Sequence, residues 1–593
     1  MVRQANRRSR HIQGEMITAM IDLEQVIAQR YPNFTHRHQR IAKIIIKFFA
    51  FLFYESRFKQ FAATYPHLKG YDFVDQTLRY FDFSLRTREF ERTRIPTEGR
   101  VVIVANHPIG SLDGLALVNL VRQVRADVKV VANELLLAIE PLHSVLLPVD
   151  NMGGNTARQN LRNIREHLHQ EGALIIFPAG EVSRLGPQGI RDEKWLSGFV
   201  KIASSTQSPI LPIHVKGRNS VFFYSLSFLA KPLSTIWLVR EMFKQSHNTV
   251  DVRIGRAVPH EIYSATDFTA KKIASLFRKH VYRLGKNGKP IFRTVETIAP
   301  AESPELMRQE LKQCEQLGLT LDGKHIYLTR LDDSPCVIRE IGRLRELTFR
   351  MIGEGSGNPR DLDRYDRDYQ HLVLWDPEDR EIVGAYRLGD VQKIIENRGL
   401  DGLYTHSLFH FDHRMAPYFA QGLELGRSFV QPKYQTRQSL DYLWYGIGAY
   451  LKKHPNTRYL FGPASISRHY GSKAIAQIAL YYQTYYNGLD LGVNPRNPFI
   501  FDADVEREMR ENILGIDLDT DFKALRDNLA EAGLPVPVLY KHYAQVAEPE
   551  GVVFTAFNVD PDFGDCVDGF VLVDLDRLKP RKRQRYLGES ITT

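Results

Sequence analysis

Three cysteines in 593 residues, Cys314, Cys336 and Cys566, stand too far apart for a disulfide framework or a metal site, and their scarcity points to a reducing cytoplasm. The first residues, MVRQANRRSRHIQGEM, are basic but lack the apolar core and cleavage site of a signal peptide. The apolar stretch Ile41 to Tyr54 contains Lys43 and Lys47 and falls short of the ~20 apolar residues that a bilayer-crossing helix requires. A second apolar stretch, Val221 to Phe243, is broken by Lys231-Pro232 and Arg240, and reads as a lipid-facing or tunnel-lining element and not a spanning helix. There is no zinc spacing, RNA-binding aromatic signature or helix-turn-helix, so nucleic acid is not expected as a partner. No internal repeat relates the two halves, which are therefore different folds.

What is present is a basic balance, 79 Lys and Arg against 69 Asp and Glu, for a net charge of +10. This favours acidic partners such as an anionic lipid surface or an acidic carrier protein. On a helix, Lys43 and Lys47 share one face, an arrangement suited to an interfacial helix on anionic lipid and also compatible with a buried helix. The length predicts at least two domains. Their expected limits are a helical, membrane-docking region 1–94, an α/β domain 95–295 and an α+β domain 305–593, with a Gly-, Lys- and Pro-rich boundary at 285–303 and a polar helix at 305–317. The basic end, Lys579 to Arg585, suits either anionic attraction or simple solvation.

The first half is organised around residues 101–114, VVIVANHPIGSLDG. Val101 to Asn106 read as a buried strand, His107-Pro108-Ile109-Gly110 breaks it, and Ser111 can cap a helix running Leu112 to Arg122. His107 thus stands where a strand ends and a helix begins, with Asp113 in the helix's first turn. An imidazole beside a carboxylate is the arrangement of general-base catalysis, because the carboxylate fixes the tautomer and stabilises the imidazolium. Strands and helices alternate from 95 to 260, which predicts an α/β sheet with its chemistry at the strand ends. Glu181, Ser183 and Arg184 directly follow the strand Ala173 to Phe177. Gly153-Gly154-Asn155-Thr156 before the helix 156–170 can cradle an anion or form a plain turn and cap.

Asn106-His107-Pro108 with Asp113, then Phe177 to Arg184, then Pro209-Ile210-Leu211-Pro212, resemble the ordered blocks of the lysophospholipid (glycerolipid) acyltransferases. Two departures stand out. Five residues separate His107 from Asp113 where the family usually has four, and Glu181-Val182-Ser183-Arg184 replaces the usual EGTR. Both match a branch that acylates lyso-aminolipids. The resemblance implies His107 as base, Asp113 as its orienting partner, and Gly110, Glu181, Ser183, Arg184 and Pro212 as substrate-binding residues. Arg184 would pair with a carboxylate or phosphate on the acceptor.

Residues 320–500 carry a second ordered pattern. Arg345 to Arg350 lie on a helix, Asp363-Arg364-Tyr365-Asp366 follow, then strands His371 to Trp375 and Ile382 to Leu388, and finally Leu423 to Val430 before a helix at 438–453. A strand places Glu424 and Arg427, three apart, on opposite faces. The order resembles the acetyltransferase-like N-acyltransferases, closest to the autoinducer-synthase-like and ornithine N-acyltransferase branch. The resemblance implies that Asp363, Asp366 and Glu424 hold or deprotonate ammonium groups, with Arg387 and Arg427 supporting them or binding carboxylate. Gln431 to Arg437 contains no Gly-rich pyrophosphate loop, which disfavours coenzyme A and favours a carrier-protein thioester. His371 and His410 are expected to be structural. Asp560 to Asp565 lack the spacing of a calcium loop.

Together these resemblances imply a bifunctional, ornithine-lipid-type acyltransferase, peripheral on the cytoplasmic face of the inner membrane. It would need no metal and no cofactor beyond the acyl carrier protein as donor. Its partners would be that acidic carrier, an anionic lipid surface, and ornithine or another amino acid. Two rivals stay open: a lysophosphatidate acyltransferase with a regulatory second domain, and a non-catalytic membrane-surface module.

Overall fold

A computed structural model describes residues 54–133, 139–149, 155–229, 231–435 and 439–588. The amphipathic stretch 41–53 and the Gly153-Gly154 pair lie outside the described residues. The chain divides into two compact units after Thr297.

The first unit is built on seven strands: β1 (Ser84–Arg86), β2 (Val101–Ala105), β3 (Lys129–Asn133), β4 (Leu146–Val149), β5 (Ala173–Ile176), β8 (Ile210–Lys216) and β9 (Thr249–Ile254). They lie in the order β1-β9-β8-β2-β5-β3-β4, and β6 (Arg184–Gly186) and β7 (Gly189–Arg191) form a separate hairpin. All sheet pairs are parallel except β8 with β9. Every residue of β2 is buried, as expected of a central strand covered on both faces. Because β2 and β5 run parallel with Val104 opposite Ile176, the loops that follow them emerge at the same sheet edge. That register sets His107 beside Phe177.

Helix α1 (Ser111–Arg122) follows β2. Ser111 is its first residue and not its cap: Gly110 holds the cap position at φ 121°, a conformation open mainly to glycine, and no side-chain capping bond forms. The apolar stretch after β8 makes two helices, α2 (Val221–Leu229) and α3 (Lys231–Lys244). Among the described residues no helix is long and apolar enough to cross a membrane.

The second unit is an eight-stranded sheet of β10 (Glu315–Leu319), β11 (His325–Thr329), β12 (Gln370–Asp376), β13 (Glu381–Asp390), β15 (Gly422–Val430), β16 (Tyr459–Ile466), β19 (Cys566–Asp574) and β18 (Val552–Asp560), in that spatial order. A small pair, β14 (Phe409–Phe411) and β17 (Val493–Pro495), lies apart. Only β15 and β16 run parallel, and they pair only from Gly422–Tyr459 to Glu424–Phe461, so the sheet splits beyond Glu424. Helix α4 (Pro335–Met351) carries Arg345, and α5 (Ser439–Lys453) follows β15.

Three expectations change here. The polar helix at 305–317 is a helix Pro304–Leu311 followed by β10. The basic end is a helix, Pro580–Leu587, docked on α5, with Tyr586 buried against Trp444 and bonded to Asp441. Arg427 does not follow strand alternation. Its φ is 52°, beside a register shift in the β13–β15 ladder, and this bulge turns its guanidinium toward the same Tyr404–Thr405 segment that Glu424 holds.

Candidate active sites

In the first unit, Asn106 leaves β2 by bracketing Val215: its amide donates to the Val215 carbonyl and accepts from the Val215 N–H, both at 2.8 Å. This locks the chain just ahead of His107. The His107 ring then presents Nδ1 to Asp113 Oδ1 at 2.9 Å. The contact is within hydrogen-bonding distance but off hydrogen-bond alignment, a geometry that catalytic pairs tighten when substrate binds. Asp113 is fully buried while the His107 side chain keeps 19% exposure, enough to reach a substrate. Burial works against the imidazolium, but the Asp113 carboxylate and then Asp192 outweigh it, so the ring's pKa is raised. Phe177 covers the ring with centroids 4.2 Å apart.

Asp192, which no motif marked, is the hub of this loop. Its Oδ1 accepts from Ser183 Oγ at 2.5 Å and from the His107 N–H at 3.2 Å, and its Oδ2 accepts from Trp195 Nε1 at 2.8 Å. Burial pushes its carboxyl up, and these three bonds pull the other way without cancelling the rise. The β6–β7 hairpin brings it back to the site, a long-range effect without a sequence period. Ser183 is thereby turned inward, and its own N–H donates to the His107 carbonyl at 2.7 Å. Asn219 Nδ2 donates to the Pro108 and Ile109 carbonyls at 3.3 and 3.2 Å and completes the cradle.

The other residues of the block set stand further back. Arg184 is buried, donates to Ser227 Oγ at 2.6 Å, lies 3.5 Å from Glu181 Oε2 and stacks over Phe223. Its guanidinium is thus engaged within the protein, with Glu181 at the more exposed end. Gly110 makes the turn between His107 and α1, where a Cβ would meet Val182 at 3.5 Å. Pro212 sits inside β8 opposite Val104, accepting from the Gly255 N–H at 2.9 Å, and belongs to the sheet.

The second unit gathers Arg345, Asp363, Asp366, Arg387 and Arg427 into one largely buried ion network, with Glu424 beside it, while Glu346 and Arg350 pair with each other. Asp363 caps the short turn Arg364–Arg367, and Asp366 returns a bond to the Asp363 N–H at 2.8 Å. Arg345 donates to Asp366 Oδ1 at 2.7 Å, and Arg387 donates to Asp363 at 2.7 Å and Asp366 at 3.3 Å. Although burial opposes ionisation, Arg345 and Arg387 hold the Asp366 carboxyl well below the usual carboxylate range. Asp363 is lowered too, by Arg387 against the effect of its own burial. His371 is buried against Arg345 and Asp366, with its pKa pushed down to about 4 mainly by burial.

Glu424 is buried with both oxygens occupied: the Thr405 N–H donates to Oε1 at 2.6 Å, and the Tyr369 hydroxyl donates to Oε2. Arg427 lies 3.4 Å from Asp361 Oδ2 and 3.8 Å from Asp363 Oδ2, sandwiched between Tyr404 and Phe563 at 4.7 and 4.3 Å. Sequence reasoning missed Asp361, Tyr369 and Tyr404; only Asp361 had a signal, two residues before Asp363. Among the described residues no group of His, Cys, Asp and Glu is arranged to hold a metal ion.

The chemistry available is therefore a His–Asp base in one unit and a preorganised ion network in the other. A family profile described as acyltransferase matches residues 25–289, and one described as an acetyltransferase (GNAT) domain matches residues 344–445. A glycine N(alpha)-acyltransferase of Bacteroides thetaiotaomicron is 33% identical over 308 residues, which are 49% of this chain and 90% of that protein. A lyso-glycine lipid O-acyltransferase of Phocaeicola vulgatus is 26% identical over 272 residues, 45% of this chain and 95% of that protein. An L-ornithine N(alpha)-acyltransferase of Brucella abortus is 32% identical over 136 residues, 20% of this chain and 47% of that protein. The chain belongs to the aminolipid acyltransferase family and is an enzyme of acyl transfer, with an α/β acyltransferase domain followed by an acetyltransferase-like domain.

Proposed function

We propose that this chain is a bifunctional aminolipid synthase. The second unit N-acylates an α-amino acid with a 3-hydroxyacyl thioester, and the first unit esterifies the 3-hydroxyl of the resulting lyso-lipid. The observation that carries this reading is the presence, on one chain, of the His107–Asp113 pair and the Asp363–Asp366–Arg387–Arg427 network, each in a unit of its own fold. Relatives of both kinds, one N-acylating and one O-acylating, support it.

In the O-acylation step, Asp113 keeps the proton of His107 on Nδ1 and leaves Nε2 to take the proton of the acceptor hydroxyl. The oxygen attacks the thioester carbonyl, the C–S bond breaks, and the thiol leaves with that proton. In the N-acylation step, the end of the β15–β16 ladder beyond Glu424 leaves strand N–H and C=O groups without ladder partners, which would suit an amide-bearing thioester arm. A carrier protein is the proposed donor, in keeping with the positive balance of the chain. Peripheral docking on an anionic, cytoplasmic membrane surface is proposed on the same ground. Ornithine is the acceptor the motif order favours. Glycine has specific support, since the relative named for it is matched over 90% of its length. Covalent linkage of the two units raises the effective concentration of the lyso-lipid for the second step.

Lipid mass spectrometry of a phospholipid-only bacterium expressing this chain tests the reading. A new diacylated amino-acid lipid, reduced to its monoacyl form in His107→Ala and absent in Arg387→Gln, supports it, and hydrolysis names the amino acid. Altered phosphatidate acylation with no aminolipid overturns it in favour of a plain lysophosphatidate acyltransferase.

A further inference from the structure

Beside Arg427 the second unit holds a set of acids that the motif order does not include. Glu354 follows α4, Asp560 ends β18 and Asp568 lies in β19. Glu354 is 6% exposed and Asp568 is 1% exposed. Asp568 Oδ1 accepts from Ser465 Oγ at 2.6 Å, while Oδ2 is buried with no hydrogen-bond partner among the described residues. The Tyr404 hydroxyl, on the ring that stacks with Arg427, lies 3.5 Å from Asp560 Oδ2. The turn after β18 closes on the residue before Glu354, because Gly564, at φ 73°, packs so tightly on the Gly353 carbonyl that a Cβ has no room. Glu354, Asp560 and Asp568 therefore lie within electrostatic reach of the Arg427 guanidinium, which stacks on Phe563 and also faces Asp361 and Asp363.

Five carboxyls near one arginine leave this cluster short of positive charge. Arg387 compensates Asp363 but not the three acids beyond it. Buried like charges cannot all ionise without a cation. Burial, then the neighbouring acid, pushes Glu354 up to about 8 and Asp568 up to about 7. A carboxyl poised there matches the task of a general base near neutrality. Glu424 is a poorer candidate, since Thr405 and Tyr369 occupy both of its oxygens.

Resting on the N-acylation reading above, we propose that Glu354, Asp560 and Asp568 receive the ammonium group of the amino-acid acceptor, and that Asp568 is the base that frees its nitrogen. One N–H bond of the ammonium breaks and its proton passes to Asp568 Oδ2. The nitrogen lone pair forms the C–N bond at the thioester carbonyl. Collapse of the tetrahedral adduct breaks the C–S bond, and the thiolate leaves as a thiol with the surplus nitrogen proton. Asp568 then returns its own proton to solvent. The charged and titratable groups around Asp568 are Asp560, Glu354, Arg427, Cys566, Tyr404 and Tyr540, and Tyr470 stands near Glu354.

The test uses the purified full chain, a 3-hydroxyacyl carrier-protein thioester, and glycine or ornithine, with N-acyl product measured from about pH 6 to 10. Asp568→Asn is expected to lower kcat/KM for the amino acid by about 10²–10⁴-fold. Its donor KM stays unchanged, and activity recovers as rising pH supplies free amine. Glu354→Gln raises the amino-acid KM, because one of the carboxyls that hold the ammonium group is gone, and leaves the acid limb in place, because Glu354 is already neutral where Asp568 titrates. A wild-type thermal unfolding profile for both variants, followed by circular dichroism, reports an intact second unit. An Asp568→Asn enzyme with the wild-type rate and pH profile overturns the assignment, as does a pH-rescued loss found in Glu424→Gln instead. If the wild type itself forms no N-acyl product with either amino acid, the N-acylation reading fails, and the assignment with it.

Discussion

Asp113 holds both ends of the loop that carries His107: Oδ1 lies 2.9 Å from the ring Nδ1, and Oδ2 accepts from the Ile109 N–H at 2.9 Å. The five residues between the two side chains are looped back on the carboxylate, so the extra residue relative to the usual spacing is absorbed in a turn that ends at Gly110. One carboxylate thus shapes the turn and orients the base.

The first prediction concerns protons at His107. The ring's raised pKa favours the imidazolium in the folded state. Its contribution to stability is complete below the ordinary histidine pKa of about 6.5 and is lost as pH rises through the folded value. Activity follows the opposite sign, because only the neutral ring accepts a proton. O-acylation is expected to fall as pH drops through the raised pKa. In Asp113→Asn the limb shifts to lower pH and the plateau rate drops by about 10³–10⁴-fold. A pH–rate profile of lyso-lipid esterification checks both.

Asp192 is a positioning residue for the same loop. In Asp192→Ala the Ser183 hydroxyl, the Trp195 indole N–H and the His107 N–H all lose their acceptor in a buried setting. A loss of about 3 kcal/mol is expected in urea unfolding of the full chain. Asp192→Asn retains one acceptor oxygen for the Ser183 and His107 donors and sets an amide N–H against the other, so it is expected to recover only part of the O-acylation rate.

Gly110→Ala tests the turn. A Cβ at φ 121° is strained by about 1–3 kcal/mol, although Val182 at 3.5 Å leaves room for it. The expected outcome is a lower melting temperature with a fall in kcat for O-acylation, while N-acylation is unchanged.

Arg387→Gln tests the buried network. It removes the nearer of two arginines at Asp363 and one of the two arginines at Asp366, and is expected to cost about 3–5 kcal/mol. The two aspartates have depressed pKa values, so their contribution is present above the ordinary carboxylate pKa of about 4 and is lost as pH falls through the folded values. Acid unfolding followed by circular dichroism is expected to begin at higher pH in the variant than in the wild type.

The sequence by itself determined the elements that arise from local chemistry. The run Val101 to Ala105, β-branched and without charge, can only be a covered strand, and the break at His107-Pro108 places the base at its end. The order of Arg345, Asp363, Asp366, Arg387, Glu424 and Arg427 along helix, turn and strands named the second network before any distance was known. The tertiary structure decided what depends on chain segments far apart in sequence. Parallel pairing of β2 with β5 laid Phe177 on His107, and the β6–β7 hairpin carried Asp192 back to the same loop. A bulge at Arg427 overrode the two-residue alternation that places it opposite Glu424. The acids Glu354, Asp560 and Asp568 have no common spacing, and they converge only because β18, β19 and the end of α4 fold around one guanidinium. Periodicity records which face of an element is buried. Which charges meet inside is set by the register and crossing of strands, and no local pattern contains that information.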